Sequence, residues 1–125
     1  MKNVNVQTLK VDERQFFKVW LVLMQPFLKL RDQEVKVLAA LLYYRHHIQE
    51  EVKNKAIIDE LLFNTKTRRK IKDELELESY SFNNILSSLR KRKLILNNSL
   101  NSKIIPNIEP GFDNFKLVYN VEVKP

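Results

Sequence analysis

Apolar residues recur with a helical period through much of the chain, and the clearest example lies between residues 79 and 92. Four apolar side chains there follow the spacing i, i+3, i+4 and i+7, which places them on one face of a helix: Phe82, Ile85, Leu86 and Leu89. Ile71 and Leu75 predict a preceding helix over residues 65–77, with a short break at Glu78. Two short helices joined by a tight turn are typical of a helix-turn-helix.

Three further helices are predicted upstream, over residues 12–64, which gives about five helices in all. The first starts at Asp12 and ends near Pro26, because proline removes a backbone donor. The second runs from about residue 32 to 49, and the third is short and ends before Asn64. The first is apolar almost all round, so it is either a central core helix or an element shared in a dimer. The residues concerned are Phe16, Phe17 and Trp20.

Residues after Lys93 predict a β-hairpin. Residues 94–96 and 115–123 are β-prone, and residues 97–99 favour a turn. Residues 104–106 are apolar and either fold back onto the domain or contact a partner. The predicted fold is therefore mainly α with a small β wing, in one domain over 1–125. Its parts are an N-terminal strand or arm (1–11), a helical scaffold (12–64), a helix-turn-helix (65–93) and a wing hairpin (94–125).

Positive charge is concentrated on the predicted helix-turn-helix. The formal net charge is +7, and residues 66–93 contain nine Lys or Arg against four acids. Such a patch attracts a phosphate backbone. The competing interpretation is a solvated helix with paired charges, because Lys70 and Glu74 have the i, i+4 spacing. The residues predicted to bind phosphates are Lys66, Arg68, Arg69, Lys70, Arg90, Lys91 and Arg92.

The composition argues against catalysis. The chain has no cysteine and one glycine, which excludes thiolate metal sites and a Gly-rich phosphate loop. His46 and His47 are adjacent and point to different sides of a helix, so no metal site is predicted. We expect no catalytic residue, cofactor or small-molecule ligand, and therefore no enzyme. Neither a signal peptide nor a membrane span is predicted, which favours the cytoplasm.

The segment LELESYSFNNILSSLRKRKLI resembles the second and third helices of bacterial and phage winged helix-turn-helix regulators of the MarR-like type. The likeness is carried by apolar and small residues, namely Leu75, Leu77, Ser81, Leu86, Leu89, Leu94 and Ile95. Glu76 and Lys93 depart from the family pattern, which commonly has Gly at both places. A non-glycine residue at a left-handed helix end costs about 1 kcal/mol relative to Gly.

This resemblance implies a DNA-binding transcription regulator, expected to be dimeric, whose recognition helix spans residues 79–92. Asn84 stands where the family often has Arg, and Asn pairs with adenine through two hydrogen bonds. The base-reading residues implied are Ser79, Tyr80, Ser81, Asn83, Asn84 and Ser87. The predicted partner is double-stranded DNA.

The layout around residues 16–38 and 102–121 also resembles small winged-helix proteins of large tailed, crAss-like bacteriophages. The alternative function is a protein-interaction or assembly module, such as a virion structural or host-factor-binding component, with a homodimer or larger assembly formed through residues 12–24 or the wing. Winged helices serve both purposes, so the fold alone does not decide between them. The protein would then act in a bacterial host or in the virion.

Overall fold

The structure is a computed structural model that describes residues 3–125. The helices in this range are α1 (Glu13–Leu23), α2 (Gln25–Leu28), α3 (Asp32–Glu51), α4 (Lys55–Leu62), α5 (Thr65–Glu74), α6 (Ser79–Lys91) and a 3₁₀-helix at Ser102–Ile104. The mainly helical character is as predicted. There are six α-helices rather than five, because the chain forms a separate short helix around Pro26. None of the helices in the described range is long and apolar enough to span a bilayer.

Helix α3 lies at the centre of the core. Helices α1, α4, α5 and α6 all pack against it. Its inward residues Val35, Leu38 and Leu41 are buried, as the spacing predicts. The predicted helix starts are also present, because Asp12 caps α1 and Asn64 caps α5 by accepting hydrogen bonds from first-turn backbone N–H groups.

The predicted β wing is wrong. Residues 3–125 contain no β-strand, and the only β-type pairing is an isolated bridge between Ile95 and Leu100. Asn97 has a φ of 60° and reverses the chain within this bridge, so Leu96 exchanges backbone hydrogen bonds with Ser99 at 2.7 and 3.2 Å. This local turn provides the backbone hydrogen bonds of residues 94–96. Residues 115–123 therefore have no strand to pair with in the described part of the chain.

The segment that follows the bridge lies across α1 instead of forming a hairpin. Trp20 Nε1 donates a hydrogen bond to the carbonyl oxygen of Ile104 at 2.8 Å. The rings of Phe112 and Phe115 pack edge-on against Phe16, with centroids 4.8 and 5.2 Å apart. Because Ile104 is buried, the prediction that residues 104–106 fold back onto the domain is confirmed.

The N-terminal segment is an arm rather than a strand. Residues 4–11 have no regular secondary structure, and Val4, Val6 and Leu9 are exposed. The apolar alternation that predicted an edge strand therefore has no partner strand among the described residues.

Helices α5 and α6 both end in a Schellman motif. At the end of α5, Leu77 N–H donates to Lys72 O and Glu76 N–H to Asp73 O; at the end of α6, Leu94 N–H donates to Leu89 O and Lys93 N–H to Arg90 O. The motif needs a left-handed residue, and the φ values are 54° at Glu76 and 61° at Lys93. Helix α5 therefore stops at Glu74, three residues before the predicted end.

A buried carboxylate joins α3 to the end of α6. Glu34 is 3% exposed and accepts hydrogen bonds from Arg31 N at 2.8 Å, Ser88 Oγ at 2.7 Å and Arg92 Nη1 at 3.1 Å. Arg92 also donates to the carbonyl oxygens of Leu28 and Lys29, where α2 ends. Burial by itself would raise the pKa of Glu34, but these hydrogen bonds and the charge of Arg92 outweigh it and lower that pKa.

We expect Lys93→Gly to raise the free energy of unfolding by about 1 kcal/mol, because glycine adopts the left-handed conformation without the Cβ clash. Lys91→Gly is the matched control. Lys91 lies inside α6, where glycine should lower that free energy by about 1 kcal/mol. Urea unfolding measures both, and equal destabilisation by the two changes would contradict the assignment.

We expect Glu34→Gln to lower the free energy of unfolding at pH 7 by about 1–3 kcal/mol, because a charge-assisted network loses its acceptor charge. The pKa of Glu34 is lower in the folded state than its ordinary value of 4.5. The stabilisation is therefore complete above that pH and is lost as the pH falls through the folded pKa.

The difference between the Glu34→Gln variant and the unmodified protein should shrink on going from pH 7 to pH about 3. Urea unfolding at a series of pH values measures it. Glu60→Gln, which changes an exposed carboxylate on α4, is the control. A difference that stays constant with pH would show that the charge of Glu34 is not what stabilises the fold.

Candidate nucleic-acid interface

Helices α5 and α6 occupy the two helical segments of the predicted helix-turn-helix, and the four residues 75–78 join them. Ile71 of α5 is fully buried, and so are Phe82, Leu86 and Leu89 of α6. These side chains direct one face of α6 into the core. The opposite face of α6 is therefore presented to solvent.

The outward face of α6 is polar and regularly spaced. Tyr80, Asn84, Ser87 and Lys91 follow one another at intervals of four, three and four residues, which aligns them along one side of the helix. All four are exposed, and Tyr80 is 77% exposed. Three of the six predicted base-reading residues therefore lie on one solvent-facing line, and Lys91 extends it.

The side of α6 nearest to α5 is linked to that helix by hydrogen bonds. Arg68 Nη2 donates to Asn83 Oδ1 at 3.0 Å, and Lys72 Nζ donates to Ser79 Oγ at 3.1 Å. Asn83 and Ser79 are exposed but already have a protein partner. Ser81 is half-buried on the other side of the helix. The side-chain amide of Asn84, in contrast, forms no hydrogen bond with the described residues and is free to contact a base.

Arg92 differs from the other predicted phosphate ligands. Its guanidinium donates to Glu34 and to the backbone of the α2–α3 loop, so its charge is used within the fold. Ser88, on the same side of α6, donates to Glu34 as well. Sequence reasoning had no means of separating Arg92 from Lys91, because the buried acceptor lies 58 residues away.

The remaining basic residues of α5 stay available. Glu74, which is placed to pair with Lys70, instead contacts Arg14 and the hydroxyl of Tyr44. Burial, the hydrogen bond and the charge of Glu74 raise the pKa of Tyr44 to about 12. Among the residues described, no ion pair is formed by the basic residues Lys66, Arg69, Lys70, Arg90 or Lys91. The solvated-helix interpretation thus lacks the predicted i, i+4 pair on α5.

An open cleft of about 560 Å³ adjoins the end of α6. It is lined by Arg90, the bridge residues Ile95 and Leu96, and the amides Asn97 and Asn98. The sequence pointed to a turn at these asparagines but gave no reason to place them beside Arg90. The isolated bridge brings them there, so this loop borders the polar face where a wing was expected.

The predicted dimer or core residues lie in the core of the single chain. Phe16, Phe17 and Trp20 are at most 8% exposed. His46 is also buried, against Phe17 and Phe112, and burial lowers its pKa. His47 is half-buried and its Nε2 lies 2.8 Å from Glu13 Oε1. These residues are remote from the α6 face, since they belong to α1 and α3.

The chain was compared with known families and proteins. No family model, no curated protein and no solved structure matches it. No relative therefore indicates a partner, and the candidate function rests on the arrangement of α5, α6 and the loop beside them.

Proposed function

We propose that this protein is a non-enzymatic, double-stranded-DNA-binding protein that acts in transcription regulation through its α5–α6 helix-turn-helix. Helix α6 lies in the major groove with Tyr80, Asn84 and Ser87 toward the base edges. Lys and Arg side chains of α5 and of the end of α6 contact phosphates on either side.

The observation that carries the proposal is the polar line on the outward face of α6, flanked by unpaired basic side chains. Lys66, Arg69 and Lys70 precede α6 on α5, and Arg90 and Lys91 lie near its end. A protein surface of this kind places charge where two phosphate strands border a groove, with uncharged hydrogen-bonding groups between them. Asn84 is the specificity residue, because a bidentate amide pairs with adenine.

The second candidate is a protein-interaction or assembly module, such as a virion component. It is favoured by apolar side chains left in solvent where α1 meets α2. Val22 is 52% exposed and Phe27 67% exposed. The Phe27 ring stacks on Tyr119 of the C-terminal segment, at 6.1 Å between ring centroids. Exposed apolar groups in one region are typical of protein contacts.

We expect the protein to bind a short random DNA duplex with micromolar or tighter affinity at low salt, and to lose affinity steeply as salt rises. Fluorescence anisotropy at a series of salt concentrations measures this. Arg69→Ala should weaken binding to every sequence alike and reduce the salt slope by about one unit. Lys18→Ala, which removes an exposed charge from α1, is the matched control and should leave the slope unchanged.

The absence of binding at low salt would contradict DNA binding. Concentration-dependent assembly in sedimentation experiments on the same sample would then favour the interaction module. Equal effects of Arg69→Ala and Lys18→Ala would show that the protein binds DNA through its net charge and not through the α5–α6 face.

For a duplex selected from a random library, we expect Asn84→Ala to relax base preference at one position by about 1–3 kcal/mol. Asn83→Ala is the control on the same helix, because Asn83 already accepts a hydrogen bond from Arg68. Competition anisotropy against single-base variants of the duplex measures the preference. Unchanged preference in the Asn84→Ala variant would rule out Asn84 as the reader.

A further inference from the structure

We propose that Glu13, His47 and Glu50 bind a divalent transition-metal ion, of the class typified by Zn²⁺, where α1 begins and α3 ends. This site lies outside the α6 face, and the proposal does not depend on DNA binding. It concerns a cluster that sequence reasoning did not assemble, because Glu13 is 34 positions from His47 along the chain.

The three residues lie close enough together to share one ion, with Glu13 and Glu50 on opposite nitrogens of the His47 ring. His47 Nε2 lies 2.8 Å from Glu13 Oε1, and His47 Nδ1 lies 3.7 Å from Glu50 Oε2. One ligand atom from each of the three residues falls within 4.8 Å of the others. Bonds of about 2.0–2.1 Å to a tetrahedral Zn²⁺ separate neighbouring ligand atoms by about 3.3 Å. Because His47 gives an ion one nitrogen, binding requires the carboxylate beside the other nitrogen to turn toward the first.

The electrostatics of the cluster favour a cation. Two carboxylates face one imidazole, and no Lys or Arg in residues 3–125 forms an ion pair with Glu13 or Glu50. Arg14, the nearest cation in sequence to Glu13, contacts Glu74 and lies over the ring of Tyr43 at 4.2 Å. Among residues 3–125, His46 and His47 are therefore the only ion-pair partners of these two carboxylates.

His46 provides an independent observation. It is 2% exposed, and neither of its ring nitrogens has a hydrogen-bond partner among the described residues. Its Nε2 is directed at the same carboxylate, 4.0 Å from Glu50 Oε1, at the i, i+4 spacing. Buried polar groups in proteins are nearly always satisfied, so an orphan nitrogen calls for a partner. A water bound to the ion at Glu50 would supply that partner, while the protein donors to the ion are Glu13, His47 and Glu50.

The donor types select the class of ion. Imidazole with carboxylates suits Zn²⁺ and its neighbours Co²⁺ and Ni²⁺, whereas Mg²⁺ and Ca²⁺ prefer oxygen alone. The side chains of Glu13, His47 and Glu50 are each about two-fifths exposed, so an ion reaches them from solvent. Because α1 packs directly on α3, the ion would connect two helices that the core already holds in place.

The test is titration of the full chain, without an affinity tag, with Zn²⁺ by isothermal calorimetry at pH 7.5 and without DNA. We expect saturable binding of one ion per chain. Glu13→Gln, His47→Gln and Glu50→Gln should each weaken it by tenfold or more, because each removes a ligand. Glu51→Gln, an exposed acid next to Glu50, is the matched control and should stay within about twofold of the unmodified protein.

Two further readouts keep the test independent of folding. Circular dichroism checks that each variant is helical, and the visible absorption of bound Co²⁺ reports four-coordinate geometry with nitrogen and oxygen donors. The proposal is overturned if the unmodified protein shows no saturable binding, or if the three ligand variants bind as tightly as Glu51→Gln. Either result would leave an ordinary His47–Glu13 ion pair, and the DNA proposal would be unaffected.

Discussion

The hydrogen-bonded carboxylate of Glu34 is the interaction on which the placement of α6 depends. Its oxygens are buried at the start of α3, where leaving them unpaired would be costly. Ser88 and Arg92 satisfy them from the far end of the chain's last α-helix, and Arg92 also closes the carbonyl end of α2. The carboxylate of Glu34 and the guanidinium of Arg92 thus connect α2, α3 and α6. These contacts fix both the position of α6 and its rotation about its own axis. The polar line from Tyr80 to Lys91 faces solvent as a consequence.

The C-terminal quarter illustrates how a local turn outcompetes a longer pairing. Residues 115–123 have strand-like alternation, but a strand forms only where a neighbour accepts its backbone hydrogen bonds. The turn at Asn97 pairs Ile95 with Leu100, so the backbone of this segment is already paired within six residues. Closing such a short loop costs less entropy than closing the longer loop to residues 115–123. Phe112 and Phe115 then bury their rings on α1. The segment predicted as a wing therefore packs on α1 through Phe112 and Phe115.

Two surfaces with separate chemistry result from this packing. One is the basic and amide-rich face of α5 and α6, with the cleft at Asn97 and Asn98 at its edge. The other is the acidic and histidine cluster where α1 meets α3. The first is built from consecutive elements within residues 65–98, whereas the second joins Glu13 of α1 to His47 and Glu50 of α3. The rigid attachment of α1 and α6 to α3 gives each surface a fixed geometry, which recognition of a ligand requires.

The sequence by itself determined five of the six α-helices, because periodic apolar spacing and capping residues such as Asp12 and Asn64 act within a few residues of one another. It did not predict the short α2. The excess of positive charge on residues 66–93 was also evident from the sequence, whereas the left-handed positions at Glu76 and Lys93 were implied by the family resemblance. Only the tertiary structure decided which of those charges remain in solvent. Arg92 and Lys91 are alike in sequence, yet Arg92 reaches a buried acceptor on α3 and Lys91 does not. The loss of the wing and the meeting of Glu13 with His47 have the same origin, since long-range contacts have no signature in local periodicity.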